Sequence, residues 1–120
     1  MNKKILIVED NPVNMDIFQE IFEEDYRLEM VTDGQQALSI IDDYMPDLVL
    51  LDVMMPKMNG YEVCKHIRSN DNIKHVKVIM VSARAMESEQ QKGIDAGADA
   101  YITKPFDENE LLDKVKSYFN

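Results

Sequence analysis

Residues 46–60 read Pro46-Asp47-Leu48-Val49-Leu50-Leu51-Asp52-Val53-Met54-Met55-Pro56-Lys57-Met58-Asn59-Gly60. The apolar run at 48–51 is too short for a helix and is typical of a strand that is buried on both faces. The run ends in the carboxylate of Asp52, and Pro56, Asn59 and Gly60 interrupt the backbone pattern soon after it. We therefore predict that Asp52 lies at the tip of a buried strand, where it opens into a loop.

The start of the chain repeats this pattern of an apolar run that ends in acids. Residues 5–8 are apolar, and Glu9 and Asp10 follow them directly. Asn11 and Pro12 then provide a helix cap and a proline at the first helical position, after which apolar residues recur at helical spacing. The pattern indicates a strand, an acidic loop and a helix.

The remainder of the chain continues as alternating strands and helices. Further strands are predicted at 27–31, 76–81 and 98–102. Capping-box patterns, with a polar partner three residues after the cap, open helices at Asp33, Asn59 and Asp107. The segment 86–96 is helical in length but polar and contains Gly93, so it is expected to be the least stable helix. Five strands alternating with five helices require an α/β fold with a parallel sheet and right-handed crossovers.

Length and composition narrow the possible functions. The chain has 120 residues and a net charge of −10, and this excess of acid disfavours direct binding of nucleic acid or anionic lipid. No apolar stretch approaches the about 20 residues that a membrane span needs, and Met1–Val8 is too short for a signal peptide. The single cysteine, Cys64, agrees with a reducing compartment. We expect one cytoplasmic domain, residues 1–120, that contacts no membrane.

Polar residues from four strands are predicted to meet at one edge of the sheet. The carboxyl ends of parallel strands share that edge, where doubly wound folds bind their ligands. Carboxylates within a few Å of one another repel unless a cation compensates, and an all-oxygen ligand set favours Mg2+. A hydroxyl and a lysine there could contact a phosphoryl group while one aspartate attacks it and forms an acyl phosphate. The residues at this edge are Glu9, Asp10, Asp52, Ser82 and Lys104.

Four short stretches resemble the receiver domain of two-component response regulators, and the resemblance covers the whole chain. It implies a flavodoxin-like (βα)5 fold, which is a doubly wound three-layer sandwich with a parallel five-stranded sheet in the order 2-1-3-4-5. The matching stretches are Ile5-Leu6-Ile7-Val8-Glu9-Asp10-Asn11, Leu51-Asp52-Val53-Met54-Met55-Pro56 with Asn59-Gly60, Val81-Ser82-Ala83, and Lys104-Pro105-Phe106.

The resemblance also implies a phosphorylation site with a metal. Asp52 would accept a phosphoryl group from a histidine kinase or a histidine phosphotransfer protein. Glu9, Asp10 and Asp52, together with the backbone carbonyl of Met54, would bind Mg2+. The domain would not be a classical enzyme, although it would take part in its own phosphorylation and dephosphorylation.

Further roles follow from the same resemblance. Lys104 and Ser82 would contact the phosphate, and Tyr101 would change rotamer when Ser82 moves towards it. Simple edge-strand packing is an equally good interpretation of Tyr101. Met54 and Arg84 lie where receivers vary and are expected to tune hydrolysis of the acyl phosphate. The resemblance also favours a cis peptide bond before Pro105 over the general prior for proline.

Phosphorylation is expected to change one surface of the domain. Nearly two added negative charges at Asp52 would draw Ser82 and Lys104 inward and bias the polar helix 86–96, the last strand and the last helix. That surface is the predicted contact with a downstream protein partner or a covalently linked output domain, and a phosphorylation-dependent dimer is a further expectation. The chain is either a stand-alone receiver or a fragment of a larger regulator or hybrid kinase.

Two other functions would suit a similar fold. A phosphatase of the haloacid dehalogenase type also uses a strand-end aspartate with Mg2+, but it needs a second acid where this chain has Met54. A flavin or nucleotide binder would need a glycine- or hydroxyl-rich phosphate cradle after the first strand. The chain instead presents acids there, at Glu9 and Asp10.

Overall fold

The computed structural model describes residues 3–119, over which strands and helices alternate as predicted. Met1, Asn2 and Asn120, with which the expected domain begins and ends, lie outside the described residues. No helix between residues 3 and 119 is both long enough and apolar enough to cross a membrane. The strands are β1 (Lys4–Val8), β2 (Arg27–Val31), β3 (Leu48–Asp52), β4 (Lys77–Ser82) and β5 (Ala100–Thr103), and the helices are α1 (Pro12–Phe22), α2 (Gly34–Tyr44), α3 (Gly60–Ser69), α4 (Glu87–Asp95) and α5 (Glu108–Ser117).

The strands form one parallel sheet in the order β2-β1-β3-β4-β5. This order confirms the flavodoxin-like arrangement. The chain winds outward from β1 to β2 and then returns to place β3 on the other side of β1, so the switch in direction lies between β1 and β3. In the register Val8 pairs with Leu51, Asp52 with Val81 and Ser82 with Thr103. The carboxyl ends of β1, β3, β4 and β5 therefore meet along one edge.

Two apolar layers cover the faces of the sheet. The run at 48–51 is at most 1% exposed, which confirms that β3 is buried on both faces. Alternate residues of β3 contribute to opposite layers because successive side chains of a strand point to opposite faces. Helices α2 and α3 pack on one layer through Ile41 and Ile67, and helices α1 and α5 pack on the other through Phe18 and Leu111. The result is a three-layer sandwich.

Side-chain caps define where most helices begin. The capping box predicted for α3 is complete, since Asn59 and Glu62 each accept a hydrogen bond from the other's backbone N–H. The capping box predicted for α2 differs in its second hydrogen bond. The Gln36 side chain accepts from the backbone N–H of Thr32 at 3.0 Å, and not from that of the cap residue Asp33. At α5 Asp107 accepts two backbone N–H bonds, but the described residues show no return bond. Only the first half of the motif is therefore common to all three.

Gly93 in the polar helix α4 has a packing role. A Cβ atom at this position would lie 2.8 Å from Cδ2 of Tyr101 and 3.0 Å from Sδ of Met80. The absence of a side chain thus lets α4 approach β4 and β5 closely. The helix also lacks a side-chain cap at Met86. Gly93 thus lowers the intrinsic helix propensity of this segment, as predicted, and is also required for the close packing of α4 on the sheet.

Arg68 of α3 joins the loops at the opposite end of the sheet from Asp52. Its guanidinium donates to the carbonyl oxygens of Gly97 at 2.9 Å, Lys74 at 2.7 Å and Val76 at 2.5 Å. It also forms an ion pair with Asp99 at 2.9 Å. Because hydrogen bonds from a charged donor are among the stronger ones, this fork fixes the segments that lead into β4 and β5.

We expect Arg68→Ala to lower the free energy of unfolding by about 2 kcal/mol or more, because several charge-assisted hydrogen bonds are lost together. Arg68→Lys should recover only part of this loss, since an ammonium group cannot reproduce the planar fork. Urea unfolding followed by circular dichroism measures both. Lys65→Ala, an exposed position on the same helix, is the control and should change stability by less than about 0.5 kcal/mol. An Arg68→Ala effect as small as this control would contradict the assigned role.

Candidate functional site

Three carboxylates converge at the carboxyl ends of β1 and β3. One oxygen each from Glu9, Asp10 and Asp52 lies within 4.8 Å of the others. Glu9 and Asp52 are 1% and 6% exposed, whereas Asp10 is exposed. The neighbouring strands β1 and β3 deliver these acids to the same place, as the sequence predicted. Two of the acids are therefore buried side by side, with the third at the solvent boundary.

Lys104 brings a positive charge into this cluster. Its Nζ atom lies 3.2 Å from Oε1 of Glu9 and 3.8 Å from Oδ1 of Asp52. The residue follows β5, two strands away from β3, and its backbone N–H donates to the carbonyl oxygen of Ser82 at 2.7 Å. The Lys104–Pro105 peptide bond is cis. One ammonium group facing three carboxylates leaves the cluster with an excess of negative charge.

The surroundings of Asp52 hold its carboxyl group partly protonated near neutral pH. Burial raises its pKa from 3.8 to about 7, and the hydrogen bond and charge of Glu9 act in the same direction. Lys104 and the backbone N–H of Met54, which donates to Asp52 Oδ1 at 3.2 Å, oppose this rise without cancelling it. A further cation next to Asp52 would favour the ionised carboxylate.

The residues present fit a hard divalent cation. The donors in the cluster are oxygen atoms without histidine or cysteine, which is the ligand chemistry of Mg2+. Burial and the neighbouring Glu9 raise the pKa of Asp52 by more than Lys104 lowers it. The cluster could therefore hold a metal ion.

The loop after Asp52 is fixed by a close backbone contact. A Cβ atom at Gly60 would lie 2.7 Å from the carbonyl oxygen of Asp52 and 2.8 Å from Cα of Val53. The Gly60 N–H donates to the carbonyl oxygen of Val53 at 2.9 Å. Only glycine allows the start of α3 to pack against the strand end in this way. The side chain of Met54, in the same loop, is 47% exposed.

Ser82 and Tyr101 hold the loop that follows β4. Ser82 is fully buried, and its hydroxyl oxygen accepts a hydrogen bond from the backbone N–H of Arg84 at 3.1 Å. The half-buried Tyr101 donates from its hydroxyl to the carbonyl oxygen of Arg84 at 3.0 Å. The two residues that were predicted to move together thus form hydrogen bonds with the backbone N–H and the backbone carbonyl of the same residue, Arg84.

Two residues that the sequence patterns did not single out extend this arrangement. The guanidinium of Arg84 lies 3.3 Å from Oε1 of Glu89 in α4. The hydroxyl of Tyr61 in α3 donates to Oε2 of the same carboxylate at 2.8 Å. This hydrogen bond lowers the pKa of Glu89, and burial raises the pKa of the Tyr61 hydroxyl. No spacing in the sequence connects positions 61, 84 and 89, since they belong to three separate segments.

A comparison with protein families identifies the group to which this architecture belongs. The family model described as response regulator receiver domain matches residues 5–116. The chain is a member of the response regulator receiver family. The polar-differentiation response regulator DivK of Brucella anthropi is 35% identical over 119 residues, which cover 98% of this chain and 97% of DivK.

Solved receiver structures agree with this assignment. The chain superimposes on the BeF3-activated DrrB receiver domain with a TM-score of 0.91 at 32% identity, covering 99% of this chain and 98% of that one. It matches the receiver domain of a sensor histidine kinase from Pseudomonas aeruginosa PAO1 with a TM-score of 0.90 at 31% identity, covering 98% of both chains. That structure has a magnesium ion coordinated in its active site cleft. The resemblance and the fold class expected from the sequence are confirmed.

The raised pKa of Asp52 predicts how stability changes with pH in the absence of divalent cations. The folded receiver binds a proton at Asp52 more tightly than the unfolded chain, where the pKa is 3.8. Its stability should therefore fall as the pH rises towards 7 and level off above it. The Asp52→Asn variant has no carboxyl group to ionise at this position. Its free energy of unfolding, relative to that of the wild type, should therefore rise by about 1–2 kcal/mol when the pH is raised from about 5.5 to 8.

Urea unfolding in EDTA at the two pH values measures this difference. Repeating the series with Mg2+ should reduce the advantage of Asp52→Asn, because the cation compensates the buried charge. A difference between wild type and variant that does not change with pH would contradict the burial of an under-compensated carboxylate at this position.

Proposed function

We propose that this receiver acts in a phosphorelay as the phosphoacceptor and that Asp52 takes the phosphoryl group from a histidine kinase or a histidine phosphotransfer protein. The observation that carries the proposal is the position of Asp52 at the end of β3, with Lys104 Nζ 3.8 Å away and two further carboxylates beside it. Membership of the receiver family supports phosphorelay signalling in general.

The chemistry that this geometry supports is an in-line displacement at phosphorus. An oxygen of the Asp52 carboxylate attacks the phosphorus atom, and the bond to the donor's imidazole nitrogen breaks. The nitrogen keeps the electron pair, and Asp52 becomes an acyl phosphate. The ammonium group of Lys104 is placed to balance the charge of the transferred oxygens. Ser82 is placed one strand away to offer its hydroxyl to the product.

Glu9, Asp10 and Asp52, together with the backbone carbonyl of Met54, would hold Mg2+ in this receiver. Bound there, the ion would offset the negative charge of the carboxylates and of the incoming phosphoryl group. The oxygen-only donor set and the excess of negative charge support this assignment. So does the magnesium ion in the Pseudomonas aeruginosa relative.

The contacts of Arg84 support a route from Asp52 to the outer surface. A phosphoryl group on Asp52 would accept a hydrogen bond from the Ser82 O–H, and rotation of the hydroxyl towards it would break the bond that Ser82 Oγ now accepts from the Arg84 N–H. Loss of that bond would loosen the segment that leads into α4, which the Tyr101 hydroxyl and the Arg84–Glu89 ion pair also hold. We infer that the surface of α4, β5 and α5 contacts the downstream protein or a covalently linked output domain. A phosphorylation-dependent dimer on this surface is the alternative.

Met54 and Arg84 are proposed to tune the lifetime of the acyl phosphate. The exposed Met54 side chain stands beside Asp52, and Arg84 follows Ser82 by two residues. We further propose that residues 1–120 make up one receiver domain in the cytoplasm, either alone or as part of a larger regulator or hybrid kinase. Its own part in phosphorylation and dephosphorylation does not make it a classical enzyme.

Incubation with acetyl phosphate and Mg2+ should add one phosphoryl group, which intact-mass spectrometry detects. Asp52→Asn should show no gain, because it lacks the attacking carboxylate, and Lys104→Ala should show a much reduced gain. EDTA should suppress the reaction in the wild type. A folded wild-type protein that gains no mass would contradict the proposal. Rapid turnover of many phosphate esters would instead favour the phosphatase alternative.

The proposed output surface predicts a localised response to activation. Addition of beryllofluoride with Mg2+ should shift amide resonances across residues 82–119 in addition to those next to Asp52. Residues of β2 should change little, because β2 lies beyond β1 from this surface, and so should the exposed side of α2, which packs against β1 and β2. Ser82→Ala should reduce the distant shifts while leaving those near Asp52. Shifts confined to the immediate surroundings of Asp52 would count against the proposed route.

A further inference from the structure

Arg84, Glu89 and Tyr61 form a chain of polar contacts from the β4–α4 loop through α4 to α3. Arg84 Nη1 lies 3.3 Å from Oε1 of Glu89, and the Tyr61 hydroxyl donates to Oε2 at 2.8 Å. The Tyr61 hydroxyl also lies 3.2 Å from the backbone carbonyl oxygen of Glu89. Each carboxylate oxygen of Glu89 therefore has its own partner, and these partners come from different elements.

Glu89 is held in place more firmly than an ordinary surface acid. Its side chain is 15% exposed, whereas that of Arg84 is 48% exposed. It stands in the first turn of α4, where the helix dipole favours a negative charge. Tyr61 fixes its orientation from the neighbouring helix. The carboxylate is thus a preoriented anion that is paired with a half-exposed guanidinium.

Arg84 lies close along the chain to the site at which a second anion would form once Asp52 is phosphorylated. It follows Ser82, the last residue of β4, and β4 pairs directly with β3, which ends at Asp52. The planar guanidinium is well suited to phosphoryl oxygens. Lys92 Nζ lies 3.8 Å from the same Oε1 atom of Glu89, so Glu89 keeps a cation partner if Arg84 leaves. Glu89 and a phosphoryl group on Asp52 would therefore compete for Arg84.

We propose that Glu89, oriented by Tyr61, is a positioning residue that draws Arg84 away from the phosphoryl group and thereby shortens the life of the acyl phosphate. This inference rests on the proposed function of Asp52 as the acceptor. In hydrolysis the oxygen of a water molecule attacks phosphorus, and the bond from phosphorus to the Asp52 carboxylate oxygen breaks. The carboxylate keeps the electron pair, inorganic phosphate leaves, and the proton of the water passes to phosphate or solvent.

The direction of the effect follows from where the guanidinium would lie. Arg84 against the phosphoryl oxygens would cover the approach of water to phosphorus. Water would then reach the phosphorus atom less readily, so the acyl phosphate would be hydrolysed more slowly. Release of Arg84 from Glu89 should slow the loss of phosphate.

The lifetime of the phosphorylated protein tests this inference. Each variant is phosphorylated with acetyl phosphate and Mg2+, the donor is removed, and the remaining phosphoprotein is followed by intact mass. Glu89→Ala should lengthen the lifetime by about threefold, which is the scale of one exposed ion pair. Glu89→Gln and Tyr61→Phe should lengthen it less, because each weakens the hold on Arg84 without abolishing it.

The deciding comparison is made in an Arg84→Ala background. There the same three substitutions should leave the lifetime unchanged, because no guanidinium is left to release, whereas a merely structural role of Glu89 would persist. Glu87→Gln, an exposed acid of the same helical turn, and Tyr44→Phe, a half-buried tyrosine whose hydroxyl donates to the Arg27 carbonyl, are matched controls. Both should retain the wild-type lifetime. Thermal unfolding checks that all variants are folded.

The possible outcomes distinguish a failure of the proposed function from a failure of the role of Glu89. A folded wild type that acquires no phosphoryl group would overturn both. A wild type that is phosphorylated while Glu89→Ala and Glu89→Gln keep its lifetime would overturn the role of Glu89 alone. Lengthening that persists in the Arg84→Ala background would likewise overturn only that role.

Discussion

The burial of Glu9 and Asp52 side by side is the interaction on which this site depends. Two acids that are 1% and 6% exposed can share a small space only if positive charge reaches them or one of them binds a proton, and Lys104 supplies part of the positive charge from across the sheet. Burial and the neighbouring Glu9 raise the pKa of Asp52 to about 7, so Lys104 offsets their effect only in part. The excess of carboxylates over the one lysine makes the cluster suited to a divalent cation.

The fold makes this crowding possible at little local cost. Parallel strands place their carboxyl ends on one edge, so each strand needs to contribute only one or two polar residues after an otherwise apolar run. The order β2-β1-β3-β4-β5 sets β1 beside β3 and puts β4 between Asp52 and the strand that carries Lys104. Gly60 then lets the start of α3 close against the end of β3. The pairing of the parallel strands thus aligns both their apolar runs, which form the core, and the polar residues at their carboxyl ends, which form the site.

The site is continuous with the segment that leads into α4. Ser82 and Tyr101 hold the two sides of the Arg84 peptide, and the Arg84 side chain continues the contact to Glu89 and from there to Tyr61. Helix α4 itself lacks a side-chain cap and contains Gly93, and both features lower its intrinsic helix stability. A small displacement at Ser82 therefore has a physical route to an outer surface of the domain.

Local patterns in the chain were sufficient for most of the fold and for the members of the acidic site. The apolar run at 48–51, the acids that follow two of the strands and the cap at Asn59 are readable because each depends on neighbours within a few residues. The return bond of Gln36 to Thr32, the fit of Gly93 against Tyr101, and the grip of Arg68 on three carbonyl oxygens were not readable. Neither was the contact of Tyr61 with Glu89, which joins two helices through residues 28 positions apart in the chain. Such contacts depend on the distance and orientation between packed elements, which periodicity and capping do not encode and which only the assembled tertiary structure determines.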